Sequence, residues 1–152
     1  MDFELRELTK NDIHAVSKIY VAAYAKGIWN EIWTHDIAEQ RIFEMFSSPQ
    51  YRGYVAVSNR NIIGCIICEI LTWHTGKQME VKEIFVLPKY QKMGVGKKLI
   101  SSIKVVAKEI GVTEVFLWTK SGQSLMGFYS DVGFQVNHEV VQFIKKEMEE
   151  LK

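Results

Sequence analysis

The hydrophobic period of the chain changes several times, and each change marks an element. Phe3-Glu4-Leu5-Arg6 alternates and predicts a first strand. Ile13, Val16, Ile19, Tyr20, Ala23 and Tyr24 recur at helical spacing after Thr9-Lys10-Asn11-Asp12, which has capping-box spacing with Asp12 in place of the usual Glu or Gln. Gly27 predicts the end of that helix. An aromatic segment follows at 28–33. A second helix begins near Thr34 or Asp36, carries Ala38, Ile42, Met45 and Phe46 on one face, and is stopped by Ser47-Ser48-Pro49.

The middle of the chain reads as β-structure. Strands over 54–57 and 62–71 are joined by a turn at Asn59-Arg60-Asn61. A second turn at 73–77 leads into a strand containing Glu83-Ile84-Phe85-Val86-Leu87, which Pro88 closes because it lacks a ladder donor. Leu99, Ile103, Val106, Ala107 and Ile110 stripe a helix over 95–110, with Gly111 just past its end. A strand over 114–118 is parallel to the Glu83 strand if that helix is a crossover. A short helix over 124–132 ends at Gly133, strands over 134–136 and 140–144 close the pattern, and 145–152 is a charged, frayed end. The order β-α-α-β-β-β-α-β-α-β-β predicts an α+β sandwich, a mixed central sheet flanked by helices, in a single domain over 1–152.

The turn from the Glu83 strand into the next helix carries the clearest chemistry. Gln91-Lys92-Met93-Gly94-Val95-Gly96 precedes a helix start, whose amides have no internal partner. Gly94 and Gly96 lack a Cβ, so a ligand can approach the main chain, and Lys92, Lys97 and Lys98 add positive charge. This is a seat for a phosphate or pyrophosphate. A P-loop needs Gly at 91 and Ser or Thr at 98, where Gln91 and Lys98 stand. A dinucleotide fingerprint needs a small residue at 99 and an acid closing the next strand, but Leu99 is large and Glu114 opens that strand.

A third reading fits. Gln-x-x-Gly-x-Gly after Ile-Phe-Val-Leu-Pro resembles the acetyl-CoA-binding motif of the GNAT N-acetyltransferases. Phe128-Tyr129-Ser130-Asp131-Val132-Gly133-Phe134 resembles the Tyr-x-x-x-Gly-Phe motif of the same family. The element order is also that of the GNAT fold, so the resemblance spans essentially the whole chain. One departure is Gly122, seven residues before the tyrosine, where many members have an asparagine that touches the cofactor arm; Ser121 or Gln123 could replace that contact.

The resemblance implies roles. Main-chain groups of Ile84, Phe85 and Val86 would pair with the pantetheine arm of acetyl-CoA as if it were a strand. An N–H of Phe85 or Val86 would face the thioester carbonyl as an oxyanion donor. Loop amides and side chains from Gln91 through Lys92, Met93, Gly94, Val95 and Gly96 to Lys97 would take the pyrophosphate. Tyr129 is the expected general acid and Glu83 the expected base, with Glu80 as its alternate. Trp29, Trp33 and Glu31 lie where the family builds its acceptor site; Glu31 and Asp36 could hold a cation, and the tryptophans could equally pin the helix connection to the core. The implied partner is a small-molecule amine, polyamine-like or aminoglycoside-like. A protein N-terminus or lysine, or a non-catalytic CoA-binding module, are the alternatives.

Composition narrows the surroundings. A net charge of +1 gives no global field that selects nucleic acid or an anionic membrane, and no apolar run is long enough to span a bilayer. The N-terminus does not read as a signal peptide, so a reducing cytoplasm is expected; a homodimer is left open. Cys65 and Cys68 form C-x-x-C inside a strand, where a spacing of three puts them on opposite faces, as buried thiols. His14, His35, His74 and His138 show no metal spacing, so no metal is expected.

Overall fold

Five strands form one sheet in chain order: β1 (Glu4–Glu7), β2 (Tyr51–Ser58), β3 (Asn61–Trp73), β4 (Gly76–Val86) and β5 (Val112–Leu117). The computed structural model describes residues 1–146. β1 to β4 are antiparallel, and β4 and β5 are parallel. Among the described residues four α-helices complete the fold: α1 (Ile13–Tyr24), α2 (His35–Phe46), α3 (Val95–Glu109) and α4 (Gln123–Asp131). This is the expected mixed α+β architecture. The β2–β3 turn is tight because Asn59 and Arg60 both take left-handed backbone (φ 49° and 65°), the twist a two-residue hairpin favours. β5 runs parallel to β4 because α3 is the crossover between them.

The sheet is covered on both faces. Leu99, Ile100 and Ile103 of α3 pack against Ile63, Ile66 and Met79. Val16, Ile19 and Tyr20 of α1 and Ala38 and Ile42 of α2 pack against Val55, Ile67 and Phe85 on the other side. β3 is therefore buried on both faces, which explains its unbroken run Ile62-Ile63-Gly64-Cys65-Ile66-Ile67-Cys68. Cys65 belongs to one core and Cys68 to the other, as the spacing predicts.

Two features position the site. The parallel ladder stops at Val81↔Leu117, while β4 continues to Val86 paired only with β3. The last stretch of β4 thus has one open edge. In addition, the 12-residue helix α1 is set by a 3₁₀ turn at Lys10–Asp12. There Asp12 Oδ2 accepts from the Thr9 amide at 2.8 Å and from Arg6 Nη1 at 2.7 Å. These donors, Arg6 first, push the Asp12 carboxyl down to about 2. A depressed folded-state value contributes stability above the unfolded value of about 3.9 and loses it as pH falls towards 2. Arg6 is half-exposed, so screening reduces the effect. Asp12→Asn should cost about 1–2 kcal/mol at neutral pH, and its urea midpoint should converge on wild type as pH is lowered from ~4 to ~2.

The two closing strands do not form. Residues 134–146 carry no strand, although Glu139 N–H donates to Asn137 Oδ1 in a turn between them. Val140, Val141, Phe143 and Ile144 are exposed, with Phe143 at 93%. They have β-forming side chains but no ladder partner, and propensity without pairing does not make a strand. The sheet thus ends at β5, and the expected order holds only as far as α4. The expected end at 145–152 lies largely outside the described residues. Among the described residues no helix is long and apolar enough to cross a membrane.

Candidate active site

The open edge of β4 can be read residue by residue. The Leu87 amide donates to Ile63 O at 2.8 Å. In an antiparallel ladder alternate residues turn their main chain to the same partner. The main chains of Phe85 and Glu83 therefore face β3, and those of Ile84 and Val86 face the opening. Of the three residues expected to meet a pantetheine arm, Ile84 presents its main-chain edge to the opening and Val86 its N–H, the Val86 carbonyl being taken by Gln91 Nε2. Phe85 is instead a core residue, 4% exposed, with its ring edge-on to Tyr20 at 5.2 Å.

The loop after β4 is built to leave amides free. Gln91 Nε2 donates to Val86 O at 3.0 Å, so this side chain folds the loop back onto the strand end. Lys92 and Gly94 both adopt left-handed backbone (φ 62° and 86°). Gly94 sits at the N-cap of α3, and a Cβ there would project into open space. Lys98 N–H is bonded to Gly94 O, so the amides of Val95, Gly96 and Lys97 are the unpartnered donors of the helix start. Gln91, Lys92, Met93 and Lys97 are exposed around them. Two expectations change. A Cβ on Gly96 would lie 3.2 Å from Phe128 Cζ, so this glycine admits α4 instead of a ligand. Lys98 reaches across to the Phe3 ring, 4.9 Å from its centroid, and is turned away from the loop.

A cavity of about 400 Å³ opens where β4 and β5 part, at Val81 and Leu117. Tyr20 and Tyr24 of α1, Trp29 and Trp33 of the α1–α2 connection, and Tyr129 of α4 wall it, with Trp118 at the β5 end. Each tryptophan lines the cavity and packs edge-on to an α1 tyrosine, Trp29 on Tyr24 at 5.1 Å and Trp33 on Tyr20 at 4.9 Å. Lys120 Nζ donates to the carbonyl of Trp29 at 3.2 Å and holds this connection to the β5–α4 loop.

Glu83 is at the centre of the cavity. Its Oε1 accepts from Arg41 Nη2 at 2.8 Å, Arg41 Nε at 3.1 Å and Tyr20 OH at 3.2 Å. Among the described residues its Oε2 accepts only from Tyr24 OH, at 2.6 Å, and so keeps a lone pair for a further donor. Burial and this carboxylate push both tyrosine hydroxyls well above the ordinary phenol value, which keeps them protonated as donors. Tyr129, facing the same carboxylate, is pushed up to about 12, burial first and the Glu83 charge second. Its ring is fixed edge-on by Phe128 at 5.1 Å and Phe134 at 5.9 Å.

The charges of the cavity are mostly paired. Arg41 pairs with Glu83, and Lys82 lies 3.4 Å from Glu80. Glu31 has only a hydrogen bond from Trp33 Nε1, at 2.9 Å. The lining thus holds three carboxylates (Glu31, Glu80, Glu83) against two cations (Arg41, Lys82). Asp36 is not part of it and lines a separate cavity between α1 and α2.

Sequence reasoning missed Arg41, and it read Tyr20 and Tyr24 only as helix stripe. The available signal was a basic residue between the apolar positions Ala38 and Ile42, and hydroxyls at i and i+4 on a buried face. A Cβ at Gly122 would meet Ile28 Cδ1, the far end of an exposed side chain of the α1–α2 connection that can turn aside, so this contact does not require glycine there. Cys65 and Cys68 are fully buried, and burial pushes both thiols up, Cys68 to about 12, so neither is a thiolate at neutral pH. His14 and His35, far apart in sequence, come together with Glu39.

A profile of the acetyltransferase (GNAT) family matches residues 13–134. The chain is 29% identical over 124 residues to an uncharacterized N-acetyltransferase of Chlorobaculum tepidum, spanning 82% of this chain and 70% of that protein. A crystal structure of a transcriptional regulator from Bacillus halodurans superposes with a TM-score of 0.77 at 19% identity, over 95% of this chain and 100% of that one. An aminoglycoside acetyltransferase from an uncultured soil metagenomic sample superposes with a TM-score of 0.75 at 19% identity, over 95% of each chain. At such identities the two superpositions speak for the fold.

Proposed function

The chain belongs to the acetyltransferase (GNAT) family, and from that premise we propose that it transfers an acetyl group from acetyl-CoA to a small cationic primary amine by direct attack within a ternary complex. The observation that carries this reading is the cavity at the split between β4 and β5, where an aromatic wall, one carboxylate in excess and the Tyr129 hydroxyl converge. Aromatic faces and an unneutralised carboxylate favour an ammonium group. The likeness in fold to an aminoglycoside acetyltransferase is in keeping with such an acceptor.

The residues suit the co-substrate. The unpartnered amides at 95–97 and the open space over Gly94 would hold its pyrophosphate. Main-chain groups of Ile84 and Val86 on the open edge would pair with its extended arm, and the Val86 N–H is the donor we assign to the thioester oxygen. The amine enters as ammonium and loses a proton towards Glu83 Oε2, through water, using the lone pair that Tyr24 leaves unused. The amine nitrogen then attacks the thioester carbon. The C–N bond forms, the C–S bond breaks, the leaving thiolate takes the proton of Tyr129, and the nitrogen sheds its second proton to water as it becomes an amide. Solvent returns that proton to the phenolate. Glu80, already paired with Lys82, is the weaker candidate for base.

A screen of purified protein against mono-, di- and polyamines with acetyl-CoA, read by thiol release, tests the reading. Di- and polyamines should be acetylated with KM values at least about tenfold below those of neutral-tailed amines, as expected for one charge contact of ~1.4 kcal/mol or more. Glu31→Gln should remove that preference with little change in kcat for the monoamine. A preference for acceptors bearing a carboxylate would overturn the cationic assignment.

A further inference from the structure

We propose that His14, His35 and Glu39 form a binding site for a divalent transition-metal ion of the zinc class, which fastens the start of α1 to the start of α2. His14 lies in the first turn of α1. His35 is the first residue of α2, and Glu39 follows it by one helical turn. Packing of the two helices brings all three side chains to one point. Glu39 Oε2 lies 3.3 Å from His14 Nδ1 and 3.5 Å from His35 Nδ1. The three potential ligand atoms are all within 4.8 Å of one another, and the two imidazole rings lie 4.7 Å apart between centroids with their planes tilted by 60°.

These separations match a metal shell. Zinc bonds to imidazole nitrogen and carboxylate oxygen are about 2.0–2.2 Å long, so the edge between two ligands of a tetrahedron is about 3.3–3.5 Å. Both His–Glu edges already have that length. Only the His–His edge has to close, and His14, with its side chain 63% exposed, is free to swing. Two imidazoles and one carboxylate are a donor set suited to zinc, with a fourth position left for water or another ligand. Asp36 lines the same cavity of about 470 Å³ and offers a further carboxylate, with Lys10 on the cavity wall. Hydrogen bonding alone accounts for the cluster less well. Only His14 Nδ1 makes a hydrogen bond to Glu39 Oε2, while His35 Nδ1 approaches the same oxygen at 3.5 Å without one.

The ion would act on the architecture of the acceptor cavity without touching it. Tyr20 and Tyr24 stand on α1 and Arg41 on α2, and these three donors hold Glu83. A clamp at the far ends of the same helices braces that frame.

Calorimetric titration of chelator-treated protein with zinc chloride tests the site, with cobalt(II) absorption as a spectroscopic reading of the ligand set. Wild type should take up one ion per chain with a Kd of about 10 µM or tighter, and its melting temperature should rise. Loss of a direct ligand in His14→Ala or Glu39→Gln should weaken binding by at least about tenfold, the lower end of what disturbing even an outer shell costs. His74→Ala, an exposed histidine elsewhere, should bind as wild type does. His14 and Glu39 are at the surface, so both variants should fold, which circular dichroism checks. Unchanged zinc affinity in the His14→Ala/Glu39→Gln double variant, or no uptake by wild type, would overturn the proposal.

Discussion

Tyr129→Phe is expected to lower kcat by about two orders of magnitude or more while acetyl-CoA binds nearly as well as to wild type. General acid catalysis is typically worth ~10²–10⁴-fold. The substitution keeps the ring that Phe128 and Phe134 hold edge-on, and removes only the hydroxyl. Because this phenol is pushed up to about 12, it remains protonated throughout the range in which amines lose their protons. The kcat profile of wild type should therefore rise with pH and show no alkaline fall until close to that value. Glu83→Gln should be most harmful at neutral pH and less so at high pH, where the amine arrives already neutral. A Tyr129→Phe enzyme with normal kcat would show that the leaving thiolate needs no acid from this residue.

Gly94→Asp should reduce acetyl-CoA affinity by at least two orders of magnitude in a folded protein. The place of residue 94 decides the outcome. It is the N-cap of α3, a position at which Asp is a favoured residue, and Asp tolerates left-handed backbone better than most side chains. The fold should survive. The new carboxylate, however, would stand in the open space over the helix start that a pyrophosphate needs, and would repel it. At an effective dielectric of ~20, one unit of charge at ~5 Å costs about 3 kcal/mol. Gly94→Ala adds bulk without charge and should keep most of the affinity, with some loss of stability from the positive φ. Calorimetry of the two variants separates charge from shape. Equal affinity of Gly94→Asp and wild type would place the pyrophosphate elsewhere.

The elements legible in the sequence are those whose signal is local. The stripe from Leu99 to Ile110 and the run from Ile62 to Cys68 each carry their own period, and the structure places a helix and a doubly buried strand there. Gly94, Gly111 and Gly133 mark positions that do take positive φ. What stayed hidden depends on partners distant in sequence. Arg41 looks like one of many surface cations on an amphipathic helix until β4 brings Glu83 beneath it. The split at Val81 cannot be read from β4, because it depends on where β5 ends. The same dependence works against residues 140–144, whose side chains favour a strand that no neighbour supports. His14 and His35 are separated by a whole connection and meet only through helix packing.

The two segments that carry the family resemblance, the glycine loop and the helix with the tyrosine, touch each other. The edge of the Phe128 ring occupies the space a side chain at 96 would need. They are therefore a single unit for evolutionary change. A side chain at 96 asks the Phe128 ring to give by a few tenths of an ångström, and that shift is passed along α4 to the neighbouring phenol. A laboratory library that varies the two positions together would therefore retain more folded, active members than one that varies them separately.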